Sequence, residues 1–237
     1  MITLLARPRS LVADTTVTLE EEEEHHLVVR RTAPDAAIEL VDGEGARAEG
    51  RLALEGRRLL VRVLKVVQEP APPATVLAVG AGDRDRFALL AEQLAPLGGT
   101  RLVPLETVHT ASVATRLRPT HLERVRRRAR EALKQCRAAW APVIEDPCSL
   151  AEFLARAGAG RRWLAELTGK TAPSFGPTEP ITIAIGPEAG FTAEEQAAFA
   201  AAGFEPVRLA PHRLRFETAA LAALTTAWLA RQRGGYG

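Results

Sequence analysis

Residues 185–195 read "IGPEAGFTAEE", a short stretch that carries the signals of a strand, a turn and a helix start. The apolar run "ITIAI" leads into it, so a buried strand enters a turn that holds Gly186 and Gly190. Thr192 and Glu195 have the spacing of a capping box, which marks the start of a helix. A strand, a glycine-containing turn and a helix in this order are typical of ligand sites at the edge of an α/β sheet.

Strands and helices alternate along the chain from residue 75 onward. Apolar runs predict strands over 75–82, 101–106, 161–167, 181–186 and 205–210. Apolar residues at helical spacing predict helices over 85–98, 119–138, 149–158, 192–203 and 217–231, the third with a capping box of Ser149 and Glu152. This alternation predicts an α/β domain on a mostly parallel sheet.

The first 70 residues show a different pattern, of short apolar segments joined by tight turns. Asp42-Gly43-Glu44-Gly45 and Glu55-Gly56 each separate two such segments, as hairpin turns do. Short strands and tight turns in a segment of this size predict a small β-barrel. The glutamates at 20–24 are interpreted as a solvated charge run, which an acidic helix start would also tolerate.

A proline-rich segment, "QEPAPPA" at 68–74, separates the two patterns. Its closely spaced prolines exclude a helix or a central strand and favour a stiff, extended connector. The sequence therefore predicts two domains, a β-barrel over 1–70 and an α/β domain over 75–237.

The composition excludes several classes of protein. A net charge of +2 and a hydrophobic content of 46% describe an ordinary globular chain with a real core. Cys136 and Cys148 are too few for a disulfide framework, and the histidines and cysteines lack metal-ligand spacing. No apolar run approaches the length of a membrane span, and the first residues lack the apolar region of a signal peptide. We expect a cytoplasmic protein that uses neither a metal nor a membrane.

The chain lacks three common ligand-binding or catalytic motifs. "TGKT" at 168–171 resembles the end of a P-loop, but Leu164 stands where that motif needs glycine, and Pro173 blocks the helix that should follow. No G-x-G-x-x-G pattern follows a strand in the right place, and no G-x-S-x-G elbow occurs. The sequence therefore disfavours P-loop enzymes, dinucleotide-binding folds and serine hydrolases.

A second stretch, "LAPHRLRFETAALAAL" at 209–224, repeats the design of the first, since a short strand ends in a turn and a helix follows. Loops at the carboxyl ends of strands cluster at one edge of an α/β sheet. Neither turn holds a cluster of cationic side chains. This composition favours a neutral or cationic adenosyl ligand, read by main-chain hydrogen bonds, over a triphosphate.

In their order and separation, the two stretches resemble the paired signature of the RsmE-type methyltransferases, usually IGPEGGF and LGxxILRTETAALAAL. "HHLVVRR" at 25–31 and the Asp42-Gly43-Glu44-Gly45 turn also resemble family segments, so the resemblance spans both domains. It implies methylation of N3 of a specific uridine in 16S ribosomal RNA of the small subunit, with S-adenosyl-L-methionine as cofactor. It also implies a PUA-like RNA-binding β-barrel, a SPOUT domain with a trefoil knot, and a homodimer.

The resemblance implies a set of cofactor contacts in three loops of the SPOUT domain. Carried onto this chain, they are Leu164, Ala165, Glu166, Ile185, Gly186, Pro187, Glu188, Gly190, Leu209, Pro211, Leu214, Thr218 and Ala219. Ala189 replaces a glycine of the family pattern, which predicts strain if the backbone there is left-handed. Phe216 replaces a threonine, and Cys136 replaces a serine in a stretch that usually reads close to EQSGR.

The chemistry of the implied reaction indicates two candidate catalytic residues. The N3–H of uracil is a weak acid, so its proton must be removed or the resulting anion stabilised. Arg215 is the candidate to stabilise that anion, because a guanidinium beside a carbonyl oxygen offsets the developing negative charge. Glu217 either accepts the proton or caps the helix that starts beside it.

Basic residues indicate an RNA-binding surface. Between Arg116 and Arg137 the chain has nine Lys or Arg residues and only two acids, and we predict a helix that is basic almost all round. A charge run is often just a solvated face, but an unbalanced stripe in a balanced chain favours a polyanionic partner. The predicted RNA contacts are Arg124, Arg126, Arg127, Arg128, Arg130 and Arg137, with Arg7, Arg9, Arg30 and Arg31 in the first domain.

Two other functions stay open at this point. The chain could be a SPOUT-fold RNA-binding or ribosome-assembly protein without catalysis, because the stretch "KQCRAAW" departs from the family pattern. It could also be a SPOUT methyltransferase that acts on another RNA. Measuring the affinity for S-adenosylmethionine separates the first of these from an enzyme.

Overall fold

A computed structural model describes residues 1–56, 58–80, 83–110 and 117–234 of the chain. The chain divides into two compact units, the first made of Met1–Ala71 and Arg130–Ala141, the second of Pro72–Ala129 and Pro142–Gly237. The division after Ala71 falls inside the proline-rich segment. Residues 130–141 group with the first unit, whereas the domain ranges from the sequence place them in the second.

The first unit contains a five-stranded sheet and one helix of its own. Its elements are β1 (Ile2–Leu5), β2 (Thr16–Thr18), α1 (Glu21–Val29), β3 (Ala37–Val41), β4 (Ala46–Glu55) and β5 (Arg58–Gln68). The strand order is β1-β3-β4-β5-β2, in which β1 and β3 are parallel and the other neighbours antiparallel. The hydrogen-bonded path begins at β1 and ends at β2, so closure into the predicted barrel stays a prediction.

The turn between β3 and β4 shows why this unit folds as hairpins. The carboxylate of Asp42 accepts hydrogen bonds from the main-chain N–H of Glu44 at 2.8 Å and of Ala46 at 3.0 Å. Gly43 and Gly45 have φ angles of +78° and +98°, a conformation that glycine adopts at little cost. The predicted hairpin turn at this position is confirmed.

Helix α1 overturns one interpretation from the sequence. Glu23 and Leu27 are four residues apart on the same face of α1, and both are buried. Oε1 of Glu23 lies 2.8 Å from Nζ of Lys134, which also belongs to the first unit. The interpretation of the glutamates at 20–24 as a solvated run is therefore wrong at Glu23, because a cation from a distant segment accompanies its burial.

The second unit alternates strands and helices, as predicted. Its elements are β6 (Thr75–Val79), α2 (Arg84–Leu94), β7 (Arg101–Glu106), a 3-10 turn (Val108–Thr110), α3 (Pro119–Cys136), β8 (Val143–Ile144), β9 (Cys148–Ser149), α4 (Leu150–Ala155), β10 (Arg161–Lys170), β11 (Ile181–Ile185), α5 (Ala193–Ala201), β12 (Glu205–Val207) and α6 (Phe216–Gly234). From Arg130 onward, α3 groups with the first unit. Residues 81 and 82, the end of the first predicted strand, lie outside the described residues.

The sheet of the second unit has the strand order β12-β10-β11-β6-β7-β8, with β9 paired to β7, and its pairings are parallel. Strand β11 is buried along its whole length, as expected for a parallel strand covered on both faces. Helix α6 buries a stripe of small residues, Ala220, Ala223 and Ala227, which lets it approach the sheet and α2 closely. The predicted parallel α/β architecture is confirmed.

Local sequence signals fix the helix starts of this unit. The capping boxes of Ser149 with Glu152 and of Thr192 with Glu195 are both formed. Gly203 follows α5 with a φ of +77°, so the predicted helix stop is confirmed as well. Within the described ranges, no helix is both long and apolar enough to cross a membrane.

Candidate functional site

A cleft lies in the second unit, beside the part of β10 that follows its pairing with β11, at the end of β11, and where the chain leaves β12 for α6. Its walls are formed by Ala165, Glu166, Leu167, Ile185, Gly186, Pro187, Glu188, Gly190, Phe191, Leu209, Ala210, His212, Arg213, Leu214, Phe216 and Ala219. The two stretches singled out in the sequence therefore meet in one site, at the edge of the sheet where parallel strands present their carboxyl ends.

The turn at residues 186–190, hereafter the glycine turn, is set by its main chain. The N–H of Gly190 donates to the carbonyl of Pro187 at 2.8 Å, and Gly190 has a φ of +78°. Ala189 is not among the residues with positive φ, so the predicted strain at Ala189 is absent. The left-handed position of the turn falls on Gly190, which carries no such cost.

Close contacts with the main chain at Gly80 and within the turn itself fix the position of the glycine turn. The N–H of Gly80 donates to the carbonyl of Ile185 at 2.9 Å, and a Cβ at Gly80 would lie 2.6 Å from Cδ of Pro187. A Cβ at Gly186 would lie 3.3 Å from both the Cα of Gly190 and the main chain of Phe191. Larger residues at these two positions would displace the turn.

Glu195 links the segment that follows the glycine turn to the segment that follows β7. Its Oε2 accepts from the N–H of Thr192 at 2.9 Å, and its Oε1 accepts from the N–H of Val108 at 2.9 Å. Glu195 of the α5 capping box therefore also satisfies a hydrogen-bond donor in the segment that follows β7. Because Glu195 is buried, these charge-assisted hydrogen bonds are shielded from water.

Strand β10 is longer than predicted and irregular where it borders the cleft. It continues to Lys170, and both Ala165 and Lys170 lie opposite Val207, so residues 166–169 form an excursion from the regular pairing. A Cβ at Gly169 would lie 2.6 Å from the main chain of Val207. The glycine in "TGKT" is thus explained by close packing of two strands.

The cleft combines apolar walls with carboxylates. Burial raises the pKa of Glu166, and the nearby Arg213 guanidinium opposes that rise. Nε2 of Gln196 donates to Glu166 Oε1 at 3.1 Å, which orients the carboxylate. Apolar walls suit an adenosyl group, and carboxylates suit a ligand with a positive sulfur and an ammonium group better than a triphosphate. The residues present therefore fit S-adenosylmethionine.

Most of the predicted cofactor residues line this cleft, namely Ala165, Glu166, Ile185, Gly186, Pro187, Glu188, Gly190, Leu209, Leu214 and Ala219. Leu164, Pro211 and Thr218 do not line it. Leu164 is buried in the core on one side of the sheet, since side chains alternate along β10, whereas Pro211 and Thr218 are exposed.

Six lining residues were missed from the sequence, namely Leu167, Phe191, Ala210, His212, Arg213 and Phe216. Five of them are adjacent in sequence to a predicted cofactor residue, and Phe216 lies between the two candidate catalytic residues, Arg215 and Glu217. These residues could have been predicted by assigning each whole loop to the site. An irregular loop can point consecutive side chains into one cleft, whereas the side chains of a regular strand alternate between its two faces.

The two candidate catalytic residues lie beside the cleft and are not part of its walls. Arg215 is exposed and forms no ion pair with any residue that the structure describes. The side chain of Glu217 is 13% exposed, and its Oε1 lies 3.8 Å from Nε of Arg86. Glu217 therefore faces Arg86, and Arg215 keeps its guanidinium available.

Helix α3 is not basic all round, which corrects the sequence interpretation. Leu122, Val125, Ala129 and Leu133 form a buried apolar stripe along it, at the spacing of one helix face. The arginines occupy the remaining surface.

Several arginines of α3 already have partners. In the second unit, the contacts are Arg124 with Asp85 at 2.7 Å, Arg126 with Asp146 at 2.8 Å and Arg128 with Glu92 at 3.1 Å. In the first unit, Arg130 donates to the carbonyl of Ala6 at 2.6 Å, and Arg137, which follows the last residue of α3, donates to that of Met1 at 3.2 Å. Arg127 is exposed and has no such partner within the described part of the chain.

The predicted basic residues of the first unit are exposed. Arg7 pairs with Glu20 at 3.2 Å and Arg9 with Glu44 at 2.7 Å, but their side chains are 75% and 86% exposed. Exposed ion pairs of this kind contribute little and exchange readily. Arg30 and Arg31, at the end of α1, are exposed as well.

Comparison with known proteins identifies relatives along most of the chain. A family model described as an RNA methyltransferase domain matches residues 69–228. The chain is 31% identical to Ribosomal RNA small subunit methyltransferase E of Synechocystis sp., over 90% of this chain and 73% of that protein. It is 28% identical to the Rickettsia conorii protein of the same name, over 70% of this chain and 69% of that protein.

Among solved structures, the chain is similar to Ribosomal RNA small subunit methyltransferase E from Neisseria gonorrhoeae bound to S-adenosyl methionine. The TM-score is 0.81 at 25% identity, covering 94% of this chain and 95% of that one. A Legionella pneumophila protein solved in complex with S-adenosylmethionine has a similar fold, with a TM-score of 0.81 at 24% identity over 97% of each chain.

Proposed function

Because this chain belongs to the RNA methyltransferase family, we propose that it transfers a methyl group from S-adenosyl-L-methionine to N3 of a specific uridine in 16S ribosomal RNA of the small subunit. The observation that carries the proposal is the cleft in which the glycine turn meets residues 209–219. Its turn, apolar walls and carboxylates match the ligand that the Neisseria gonorrhoeae relative binds.

The cofactor supplies a methyl group on a positively charged sulfur. The protein must orient the uracil towards that methyl group and manage the N3 proton, and in-line positioning alone accelerates such a transfer strongly. Arg215 is suited to stabilise the negative charge on a uracil oxygen, because its guanidinium is exposed at the rim of the cleft and is not engaged by Glu217.

Glu217 has two roles that the geometry supports. It stands in the first turn of α6, where a carboxylate complements the helix dipole. Its Oε2 is buried without a hydrogen-bond partner among the described residues, so it has a free lone pair for a proton. A proton acceptor at Glu217 would work beside Arg215.

RNA binding in this proposal uses the exposed cations. Arg7, Arg9, Arg30 and Arg31 of the first unit and Arg127 of α3 are placed in solvent, where phosphates reach them. Arg124 and Arg126 would exchange their exposed carboxylate partners for phosphates, whereas the partner of Arg128, Glu92, is half-buried. Arg130 and Arg137 bind carbonyl oxygens of the first unit, so their role is chiefly structural.

We propose that the enzyme is a homodimer. Trp228 and Leu229 of α6 are 51% and 47% exposed, which is unusual for large apolar side chains on a helix that otherwise packs into a core. A second copy of the chain would cover them. The PUA-like barrel, the trefoil knot and a cytoplasmic location belong to the same proposal, and the ribosomal substrate named for the relatives supports the location.

The direct test uses the purified protein, radiolabelled S-adenosylmethionine and small ribosomal subunits that lack the modification. We expect one methyl group to enter the RNA at N3 of a single uridine, found by mapping the labelled nucleotide. Cofactor binding without transfer to any RNA would favour a binding or assembly protein on this fold. Transfer to another RNA or another base would change the substrate and leave the reaction class intact.

A further inference from the structure

Arg86, in the first turn of α2, lies between two carboxylates of the second unit. Its Nη1 is 3.9 Å from Oε1 of Glu188, and its Nε is 3.8 Å from Oε1 of Glu217. Glu188 belongs to the glycine turn and lines the cleft, whereas Glu217 belongs to the first turn of α6. One guanidinium therefore faces both loops that form the cofactor cleft.

The base of the Arg86 side chain is fixed. Asp83 caps α2, and its Oδ1 accepts the N–H of Arg86 at 2.9 Å. Helix α2 packs against α6 through buried residues such as Phe87 and Leu90. The guanidinium thus extends from a rigid element, and its two carboxylate partners sit on the segments that must be held in register for a ligand to fit.

The environment of Glu217 shows why a cation is needed there. Its side chain is 13% exposed and its Oε2 has no hydrogen-bond partner within the described residues. A carboxylate enclosed in this way is unfavourable unless a positive group lies nearby. Among the residues that the structure describes, Arg86 is the cation that forms an ion pair with Glu217.

We propose that Arg86 is a positioning residue for the cofactor cleft, acting through Glu188 and Glu217 to hold the glycine turn against the first turn of α6. Arg86 does not line the cleft, so it reaches the ligand only through these carboxylates. The inference rests on the proposed function, because it requires that the cleft binds S-adenosylmethionine.

The test measures binding of S-adenosylmethionine by calorimetry and the melting temperature on the same preparations. Arg86→Gln is expected to raise the Kd about tenfold, the scale of coupling between contacting residues. Arg86→Lys should restore part of the affinity, since it keeps the charge but loses the planar fork that spans two carboxylates. Arg101→Gln is the matched control, because it removes an ion pair with Glu145 at 3.3 Å in the same unit and should leave the Kd unchanged.

A double-mutant cycle shows whether Arg86 acts through its partner. The variant with both Arg86→Gln and Glu217→Gln should bind no more weakly than Arg86→Gln alone, since the pair is already broken. If Arg86→Gln does not fold, Glu217→Gln breaks the Arg86–Glu217 pair from the other side without changing a residue that lines the cleft, and a loss of affinity is again expected.

The outcomes separate this inference from the proposed function. Wild-type affinity in Arg86→Gln, with or without a lower melting temperature, would overturn the positioning role and leave the proposed function standing. Additive losses in the double variant would also overturn it. Absence of S-adenosylmethionine binding by the unsubstituted protein would overturn the proposed function, and this inference with it.

Discussion

The glycine turn and helix α3 hold their surroundings by different means. In the turn, main-chain groups bond to main-chain groups, as in the Gly190–Pro187 and Gly80–Ile185 hydrogen bonds, and added side chains would collide. On α3, flexible guanidinium groups pair with carboxylates, for example Arg124 with Asp85. Nearly half of each of these arginine side chains is exposed to solvent. The turn is thus a rigid shape, whereas the helix surface is a set of replaceable contacts.

The two kinds of contact predict different responses to substitution. A residue that shapes the main chain has no substitute, so its loss should abolish a function outright. A residue that adds one exposed charge among several should change binding only slightly. Lys134 is an exception on α3. Its partner, Glu23, is buried, so the loss of this charge should have a large effect.

Lys134→Met should produce the largest effect. Glu23 is 4% exposed on its side chain and would lose its counter-charge, so we expect the free energy of unfolding to fall by about 3 kcal/mol. Lys65→Met, at an exposed position of the same unit, should stay within about 0.5 kcal/mol of wild type. Urea denaturation measures both.

The pH dependence sharpens the first prediction. Burial raises the pKa of Glu23, and Lys134 opposes that rise. Protonated Glu23 needs no counter-charge, so the deficit of Lys134→Met should shrink as the pH falls through the raised pKa of Glu23 and persist above it. A deficit that does not change with pH would assign the loss to packing.

Gly186→Val tests the rigid side of the comparison. The new Cβ would start 3.3 Å from Gly190 and Phe191 and the remaining atoms would fill the cleft, so affinity for S-adenosylmethionine should fall at least about a hundredfold. Gly158→Val is the matched control, because a Cβ there meets no atom within 4 Å. Retained affinity in a folded Gly186→Val sample would remove the glycine turn from the cofactor site.

Arg215→Ala tests a side chain beside the rigid site. If Arg215 stabilises the uracil anion, the single-turnover methylation rate should fall about a hundredfold while cofactor affinity changes little. Lysine at this position should restore only part of the rate. A normal rate per folded molecule, with a lower melting temperature or dissociation of the proposed dimer, would make Arg215 structural.

Arg127→Ala should have the smallest effect. Arg127 has no partner among the described residues, so its removal should weaken RNA binding severalfold and reduce the slope of log affinity against log salt by about one. Arg124→Ala should reduce the slope less, because Asp85 already engages Arg124 at 2.7 Å. Equal slopes for the two variants would show that exposed ion pairs do not hold arginines back from RNA.

The sequence predicted what is encoded locally. The capping box of Thr192 and Glu195 and the turn at Asp42 depend on residues within a few positions of one another, and both form as expected. The cleft could be predicted as two loops that converge at a sheet edge, but the side chains that line it depend on how each loop bends. Arg213 and Phe216 were missed for this reason.

Pairings between distant segments could not be predicted from residue type. Lys134 and Glu23 are 111 positions apart, and Arg126 and Asp146 are 20 positions apart. Nothing in a local pattern distinguishes Arg127, which is unpaired in the described structure, from Arg126 and Arg128 beside it. A charge count therefore indicates a basic surface without showing which charges are available.

The strand order also affects the sequence of folding events during synthesis. Strand β10 lies between β11 and β12, both of which follow it along the chain, whereas β6 and β7 are neighbours early on. During synthesis, β6 and β7 can pair while β10 still waits for its partners, and long-range parallel pairing is intrinsically slow. The cleft closes only after residues 209–219 have left the ribosome. Affinity for S-adenosylmethionine should therefore arise late in synthesis and mark a chain that has finished folding.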